Sequence, residues 1–423
     1  MNRRRFLGTI SAVSAVAVCH PGLAGKARVS TKNRALNRMA DLPGRTENML
    51  GYPINMATPP DAFFAWQRKL AQVGLDRFAY NNVGNPYEHS HIPFNTHHME
   101  KELIRRFGDL FHFDPDNTWG FLSNSGTDSN MHGLYFGRTI LKGQTGILPK
   151  IYFTKEAHYS VQILSDLLGL EWVEVATLAD GSMNPDDLER QLEAHPDHPA
   201  LVCATVGTTF KGAVDSIDAI QAKLGARDAY LHVDAALFGG YLPHTDFARE
   251  VYQTERGVKR YDSMAVSCHK FFGFASPAGL FISTHKAFDE FHRLFSEVHD
   301  PEYILQVPGT ISCSRDSVKP AEFYYHSTPA ALKKQAVDAK ACLANTHYLL
   351  NEMRNHYPHL QPVLENKLSN TVYFRYPGEA VVEKYSLATM NINRDGQPIP
   401  HAHVVVMPHA TRPVLDRFME DLA

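Results

Sequence analysis

The sequence predicts an α/β protein in which helices cover a mostly parallel β-sheet, followed by a smaller C-terminal α+β domain. Short runs that are apolar on both faces recur between helical or turn-rich stretches, as in strands buried within a parallel sheet. After about residue 320 this alternation gives way to one long helical pattern and then separate strands. Of the 423 residues, 44% are apolar and 21% charged, which is ordinary globular usage.

The elements follow from these patterns in chain order. We expect helices over roughly 97–111 and 129–141, where apolar residues recur with helical spacing. Strands are predicted at Ile151–Thr154, Leu201–Val206, Tyr230–Val233, Met264–Ser267 and Gly279–Ser283. Beyond 320 we expect a helix at 328–355, strands at Thr371–Tyr376 and His403–Met407, and a closing helix at 412–422. The predicted domains are a leader at 1–24, an N-terminal arm and segment at 25–95, a large domain at 96–320 and a small domain at 321–423.

Positive charge is concentrated at the start of the chain. Residues 1–45 carry nine basic residues and one acidic residue, whereas the remainder has a net charge of −11. A negatively charged body repels phosphate, so the overall field argues against nucleic-acid binding. The basic excess at one end requires its own explanation.

Residues 1–24 have the three parts of a secretory signal, namely a basic head, a mild apolar run over 9–18 and small residues at the end. The apolar run is too short to span a membrane, so we expect no stable membrane anchor. Arg3 and Arg4 begin a stretch that resembles the twin-arginine motif Arg-Arg-x-Phe-Leu. This pattern predicts export to the periplasm, and the alternative is a disordered basic tail on a cytoplasmic enzyme.

Neither the cysteines nor the histidines predict a disulfide framework or a metal site. No Cys-x-x-Cys motif and no close cysteine pairing is present. Apart from Cys19 in the leader, the cysteines are Cys203, Cys268, Cys313 and Cys342. A cluster of histidines lacks accompanying Cys or acidic ligands, so its members are expected to face solvent or substrate. They are His89, His91, His97 and His98.

Two polar stretches are candidates for ligand binding. Ser123–Asn130 places small and hydroxyl residues at the start of a helix, where exposed N–H groups suit a phosphate. The same residue types also cap helices that bind nothing. His158 follows the strand Ile151–Thr154, at the edge of the sheet where ligands gather in open α/β folds. A histidine there is also typical of a cap or of the core.

Two charged residues end apolar strands. Asp234 follows Tyr230–Val233, where a buried acid is costly unless it meets a positive partner. A pyridinium nitrogen would be such a partner, and a helix N-cap or an internal salt bridge is the alternative. Lys270 follows Met264–Ser267 among apolar and aromatic residues, where its amine can be neutral and nucleophilic.

Together these four features provide what a pyridoxal phosphate site needs. The phosphate would dock on the helix start, and the ring of His158 would cover one face of the cofactor. Asp234 would keep the ring nitrogen N1 protonated, and Lys270 would form the Schiff base. We therefore interpret the chain as a pyridoxal phosphate enzyme.

These stretches resemble the fold-type I pyridoxal phosphate enzymes, and within them the group II amino-acid decarboxylases. The hallmarks are Asp234-Ala235-Ala236 and the Ser-x-His-Lys core that ends at Lys270. The resemblance covers about residues 50–423 and is nearest to bacterial histidine decarboxylases and plant serine decarboxylases. Further agreement lies at 51–53, 81–86, 119–121, 158–161, 207–215 and 402–408.

The resemblance implies the fold-type I transferase-like fold and a role for each matching residue. Lys270 would be the Schiff-base lysine, Asp234 the partner of N1, and His158 the stacking ring, with Ala236 packing the other face. The catalytic residues would be Lys270, His158 and Asp234. Phosphate would be bound by Ser125, Gly126, Thr127, Ser267 and His269. Family members are homodimers with active sites at the subunit interface, so a homodimer is implied.

One stretch departs from the family pattern. Histidine and serine decarboxylases carry Gly-Ser-Arg-Asn-Gly-His, a segment thought to approach the neighbouring subunit's site. This chain has Cys313-Ser314-Arg315-Asp316-Ser317-Val318 instead, which keeps the serine and the arginine and loses both glycines and the histidine. The departure leaves the lysine and phosphate residues intact and puts substrate identity and dimer contacts in question.

The implied reaction is decarboxylation of an L-amino acid to its amine and carbon dioxide, with histidine as the first expected substrate. His158 or a loop residue near 300–312 would deliver the proton to Cα. The alternatives are decarboxylation of serine or another amino acid, a different pyridoxal phosphate lyase or aminotransferase, and a non-catalytic effector that retains the fold.

Overall fold

The computed structural model describes residues 39, 42–248, 251, 261–299, 302–394 and 396–422. The predicted leader at 1–24, with Cys19, lies outside the described residues. The chain divides into two units, residues 1–46 and 47–423. Of the first unit, the description covers residue 39 and the start of a 3₁₀-helix, Leu42–Asn48. The remaining structure belongs to the second unit.

Seven strands form the central sheet. They are β1 Thr118–Ser123, β2 Lys150–Thr154, β3 Trp172–Val175, β4 Ala200–Thr205, β5 Ala229–Asp234, β6 Ser263–Ser267 and β7 Gly279–Thr284. Their order is β1-β7-β6-β5-β4-β2-β3. Strands β2 to β6 pair in parallel, whereas β7 is antiparallel to both β1 and β6. The expectation of a mostly parallel sheet is confirmed, with an antiparallel edge.

Burial explains why these segments are strands. Every residue of β1, β2, β4 and β6 is buried, which requires runs that are apolar on both faces. The edge strand β3 is different, because Trp172 is 51% exposed and only its last residue is buried. The five predicted strands of the large region are all present, and β1 and β3 were not predicted.

The helices that accompany the two sheets are numbered here in chain order. They are α1 Asp61–Gln72, α2 His97–Leu110, α3 Gly126–Thr145, α4 Ser160–Leu167, α5 Pro185–Glu193, α6 Ile217–Leu224, α7 His285–Ser296, α8 Val318–Phe323, α9 Pro329–His356, α10 Glu379–Lys384 and α11 Arg412–Glu420. Helix α3 packs against β5, β6 and β7 and against α7. Within the part of the chain that is described, no helix combines the length and apolar character needed to cross a membrane.

A second, smaller sheet lies in the C-terminal region, as the fold class predicts. Its strands are β8 Thr371–Arg375, β9 Ala388–Arg394 and β10 Gln397–Val405, arranged antiparallel in the order β8-β10-β9. Its apolar face forms a core with helices α9 and α11, including Val372, Val404, Met353 and Phe418. The sequence predicted β8 and the end of β10 but not β9.

Candidate active site

A cavity of about 280 Å³ opens where the carboxyl ends of β4, β5 and β6 meet the start of α3. This is the edge at which parallel sheets bind ligands. All nine residues assigned to the site from the sequence line this cavity. They are Ser125, Gly126, Thr127, His158, Asp234, Ala236, Ser267, His269 and Lys270. The structure therefore brings together side chains that are separated by up to 145 positions in the sequence.

The start of α3 forms a cradle for an anion. Ser125 is the N-cap, with an extended backbone, and its Oγ accepts a hydrogen bond from the amide of Asp128 at 3.1 Å. A Cβ on Gly126 would lie 2.4 Å from Ser267 Oγ and 3.3 Å from Ala236 Cβ, so glycine keeps this side of the cavity open. The free N–H groups of the first turn and the helix dipole suit a phosphate.

Asp234 lies at the carboxyl end of β5 and is 3% exposed. Its Oδ1 accepts a hydrogen bond from the Ala236 amide at 3.0 Å, and its Oδ2 accepts one from Asn130 Nδ2 at 2.8 Å. A carboxylate offers about four lone-pair sites, so two donors leave capacity for a cationic partner in the cavity. No other donor to the Asp234 carboxylate is found among the described residues.

Lys270 stands in the turn that follows β6. Its carbonyl accepts hydrogen bonds from the amides of Asn55 (3.1 Å) and Gly273 (3.2 Å), which fix the turn. Burial lowers the pKa of the Lys270 amine, and the negative charge of Asp234 opposes that shift. A lowered pKa increases the neutral, nucleophilic fraction of the amine.

Two histidines line the same cavity. His158 Nδ1 lies 2.8 Å from Ser160 Oγ and accepts the Ser160 amide at 3.3 Å. Burial lowers the pKa of His158 and also that of His269, and Lys270 adds to both shifts. The buried Nδ1 of His269 has no hydrogen-bond partner among the described residues, which makes it available to a ligand.

Sequence reasoning missed several residues that line the cavity. They are Asn130, Tyr159, Ser160, Thr205, Gly207, Thr209, Leu237 and Pro277. Asn130 belongs to the polar stretch at the start of α3 that the sequence singled out, but its contact with Asp234 was not predicted. Thr205 Oγ1 is buried and has no hydrogen-bond partner within the described structure, and register pairs Thr205 with Asp234 across β4 and β5. A single sequence does not show such cross-strand neighbours.

The residues present fit pyridoxal phosphate. Helix α3 and Ser267 offer donors to a phosphate, Asp234 has open acceptor capacity for a protonated ring nitrogen, and Lys270 has an amine of lowered pKa. The glycine at 126 leaves the space that a side chain would fill. This donor set matches the cofactor at its phosphate, its ring and its aldehyde.

Residues 99–369 match the family model described as the pyridoxal-dependent decarboxylase conserved domain. The chain belongs to this family. It is therefore a pyridoxal phosphate-dependent amino-acid decarboxylase, a carboxy-lyase.

Curated members of this decarboxylase family resemble the chain along most of its length. Serine decarboxylase 1 of Oryza sativa subsp. japonica is 33% identical over 90% of this chain and 73% of its own. Histidine decarboxylase of Vibrio campbellii is 30% identical over 82% of this chain and 84% of its own. Histidine decarboxylase of Solanum lycopersicum is 28% identical over 90% of this chain and 86% of its own.

A solved decarboxylase has the same fold. L-methionine decarboxylase from Streptomyces sp. 590 superposes with a TM-score of 0.78 at 21% identity, covering 96% of this chain and 97% of the other. The expected fold-type I architecture is thereby confirmed.

The segment that departs from the pattern of other decarboxylases, 313–318, is anchored away from the cavity. Arg315 is buried and forms an ion pair with Glu100 of α2, with Nη1 2.5 Å from Oε1 and Nη2 3.1 Å from Oε2. Its guanidinium lies over the ring of Phe121, 4.9 Å from the centroid. Asn81 Nδ2 donates to Ser314 Oγ at 3.0 Å. The two residues kept from the pattern thus have structural partners within this chain.

The histidine cluster at 89–98 lies outside the residues that line the cavity. The rings of His89 and His91 are 5.1 Å apart in an edge arrangement. His97 begins α2 and is 5% exposed, with both ring nitrogens unpaired in the described structure. The expectation that these histidines face solvent or substrate is therefore wrong for His97, which is buried and does not line the cavity.

Proposed function

We propose that this decarboxylase converts L-histidine to histamine and carbon dioxide. The observation that carries the reaction is the single cavity that joins Lys270, Asp234 and His158. Support for histidine comes from the similarity to histidine decarboxylases of a bacterium and a plant over 82–90% of the chain. L-Serine is the second candidate, favoured by the 33% identity to the rice serine decarboxylase.

We assign roles to the residues of the cavity as follows. Lys270 supplies the amine that holds the cofactor aldehyde, and its lowered pKa keeps that amine reactive. Asp234 holds a proton at N1, so that the cofactor ring, when bound, accepts the electron pair released with carbon dioxide. His158 covers one face of the ring and Ala236 the other. The phosphate ligands are Ser125, Gly126, Thr127, Ser267 and His269.

The proposal is tested with purified enzyme, pyridoxal phosphate and a panel of the twenty amino acids, with product identification. The proposal is supported if histidine has the highest kcat/KM of the panel and yields histamine and carbon dioxide. If serine has the highest value and yields ethanolamine, serine is the substrate instead. An aldehyde would indicate carbon–carbon cleavage at the side chain, and a keto acid would indicate transamination. Cofactor binding without any turnover would contradict the enzymatic role.

We also propose a homodimer with active sites at the subunit interface, as the family resemblance implies. Tyr159 lines the cavity and is 68% exposed, and Ile163 and Leu167 on the neighbouring α4 are 57% and 65% exposed. Apolar side chains grouped in this way are typical of interaction surfaces. Light scattering after size exclusion should give twice the chain mass, and Ile163→Asp with Leu167→Glu should shift it towards one chain. A monomeric wild type would contradict the proposal.

Finally, we propose export to the periplasm by the twin-arginine route, which carries folded proteins and so allows loading of cofactor before export. The support is the Arg-Arg-x-Phe-Leu stretch with Arg3 and Arg4. Fractionation of cells should place the protein in the periplasm, and replacing both arginines by lysine should retain it in the cytoplasm. A native N-terminus that is still Met1 would contradict processing of the leader.

A further inference from the structure

A chain of buried side chains leads away from Asp234 beneath α3. Asn130 Nδ2 donates to Asp234 Oδ2 at 2.8 Å, and Asn130 Oδ1 lies 2.9 Å from His232 Nε2. His232 Nδ1 lies 2.8 Å from Ser263 Oγ. The four side chains belong to residues between 0% and 3% exposed. The chain thus connects the floor of the cavity to β6 without contact with solvent.

The sequence builds this chain through two periodicities. His232 and Asp234 are two positions apart on β5, so both side chains project from the same face of the sheet. Asn130 and Gly133 are three positions apart on α3 and share the face that packs on β5. A Cβ on Gly133 would lie 2.2 Å from His232 Nδ1, so the glycine provides the room for the imidazole.

The polarity of every hydrogen bond in the chain follows from the carboxylate. A carboxylate only accepts, so the amide atom of Asn130 that faces Asp234 is the NH₂ group and the other is the carbonyl oxygen. That oxygen requires a donor, so His232 carries its proton on Nε2. Its Nδ1 is then an acceptor and receives the hydroxyl proton of Ser263. The imidazole stays neutral, since burial lowers the pKa of His232 to about 4.

We propose that Asn130, held by His232 and Ser263, is a positioning residue that fixes the Asp234 carboxylate towards the cofactor nitrogen N1. Without His232, the carbonyl oxygen of Asn130 would lose its hydrogen-bond donor, which determines which end of the amide meets Asp234. The carboxylate would then rotate more freely, and N1 would hold its proton less completely. The inference rests on the assignment of Asp234 to N1 made under the proposed function.

The direct test is the ¹⁵N chemical shift of N1 in holoenzyme reconstituted with ¹⁵N-labelled pyridoxal phosphate, because this shift reports protonation without turnover. Asn130→Leu should move it towards the unprotonated value and reduce kcat about 10–100-fold, the usual size of effects from residues that orient a site group. KM should change by less than about threefold, because the lost interaction matters in the transition state rather than in binding.

Variants at two further residues, His232 and Ser263, keep the test decisive if Asn130→Leu does not fold. His232→Gln retains a donor towards Asn130 and should preserve the N1 signal largely, whereas His232→Leu should not. Ser263→Ala removes only the last hydrogen bond and should give the smallest shift. Ser165→Ala is the matched control, since it deletes a buried 2.7 Å hydrogen bond to the Val161 carbonyl outside the site.

The outcomes separate two failures. Asp234→Asn serves as the reference for an unprotonated nitrogen, and an unchanged shift in that variant would overturn the assignment of Asp234 itself. A changed shift in Asp234→Asn, together with wild-type shift and kcat in folded Asn130→Leu or His232→Leu, would overturn the positioning role. Equal effects of His232→Gln and His232→Leu would also contradict it, because the retained donor would then be irrelevant.

Discussion

Two buried carboxylates in this protein are satisfied in opposite ways. Glu100 is completely buried, and four donors reach it, from the two Arg315 nitrogens, the Leu122 amide and Asn82 Nδ2. Asp234 is 3% exposed, and within the described structure its carboxylate accepts hydrogen bonds only from the Ala236 amide and from Asn130 Nδ2. Glu100 therefore has no acceptor capacity left, whereas Asp234 keeps about half of it facing the cavity.

This difference distinguishes a charge that holds the fold from one that is kept for a ligand. The Glu100–Arg315 pair connects α2, β1 and the segment at 313–318, all within this chain. The charge of Lys270 acts on Asp234, but burial lowers the pKa of the Lys270 amine and so favours its neutral form. Replacements at the two carboxylate regions should accordingly separate activity from stability.

The largest effect is expected from Lys270→Ala. Removing the amine eliminates covalent attachment of the cofactor, so turnover should fall at least about 10³-fold, as for other covalent residues. The borohydride-reducible bond to the protein should also disappear. The free energy of unfolding of the apoenzyme should change little, because the amine satisfies no hydrogen bond in the described structure. Retained turnover or retained reducible cofactor would reject the role assigned to Lys270.

At the buried Glu100–Arg315 ion pair, Arg315→Met should lower stability rather than activity. It leaves Glu100 buried without a cation, which costs about 3–5 kcal/mol of unfolding free energy. Urea unfolding measures this loss, and adding Glu100→Gln should recover part of it because the unpaired charge is then removed. Arg293→Met is the matched control at an exposed pair with Glu297, where at most about 0.5 kcal/mol is expected. Additive losses in the double variant would contradict the pairing.

The two regions also differ in how much of them the sequence alone predicts. The strands ending at Asp234 and near Lys270 are apolar on both sides, so their position and their terminal charges were predictable. Glu100 was not, because it is one acid among several on an amphipathic helix, and its partner Arg315 lies 215 positions away. The sequence places Arg315 in a segment that is thought to approach the neighbouring subunit in related decarboxylases, and the structure gives it a partner within this chain.

Strands β1, β3 and β9 were not predicted, each for a reason of its own. Strand β3 lies at the edge of the sheet, and its residues differ in exposure. Strand β9 contains several polar residues, a composition that is also typical of a loop. Strand β1 contains the fully buried Trp119 and Phe121, but it pairs antiparallel with β7 and precedes the region in which short apolar runs alternate with helices. The pairing partner of β1 is distant in sequence, since Thr118 pairs with Thr284 of β7, whereas β9 pairs with β10, the next strand in the chain. Distance in sequence likewise hides the contact between Asn130 and Asp234.

A third buried carboxylate, Asp215, should make the free energy of unfolding depend on pH. The amides of Met183 and Thr205 donate to its oxygens at 2.6 and 2.7 Å, but burial raises its pKa to about 6. An unfolded aspartate titrates near 3.9. The native state therefore holds a proton between about pH 4 and 6 that the unfolded chain has released, and stability from this group falls as pH rises through that window.

Asp215→Asn removes this titration. Relative to the variant, the wild type should lose about 2–3 kcal/mol of unfolding free energy between about pH 4 and 6. Urea unfolding of both proteins at several pH values gives the difference directly, and other groups cancel in the comparison. Parallel stability curves would show that the pKa of Asp215 is the same in the folded and the unfolded chain, which would contradict the prediction.

The smallest effect is expected where the side chain of His132 connects two elements through hydrogen bonds. His132 on α3 has Nδ1 2.8 Å from the Asp128 carbonyl, and its Nε2 accepts the Ile311 amide at 3.0 Å. It thereby links the helix that starts at the phosphate cradle to the loop before α8. Because an N–H can only donate, Nε2 must be unprotonated, and Nδ1 carries the proton.

Replacement of His132 by Phe keeps a ring and deletes both hydrogen bonds. Ile311 is only partly buried, so water can satisfy its amide and the loss should be about 1 kcal/mol. Hydrogen exchange of the Ile311 amide should then accelerate about fivefold, while exchange in the core of β5 stays unchanged. His292→Phe is the control: His292 on α7 contacts the Val307 carbonyl of the same loop, and this longer contact of 3.4 Å should matter less. Equal exchange in wild type and His132→Phe would mean that packing alone holds the loop, which would contradict the role assigned to these hydrogen bonds.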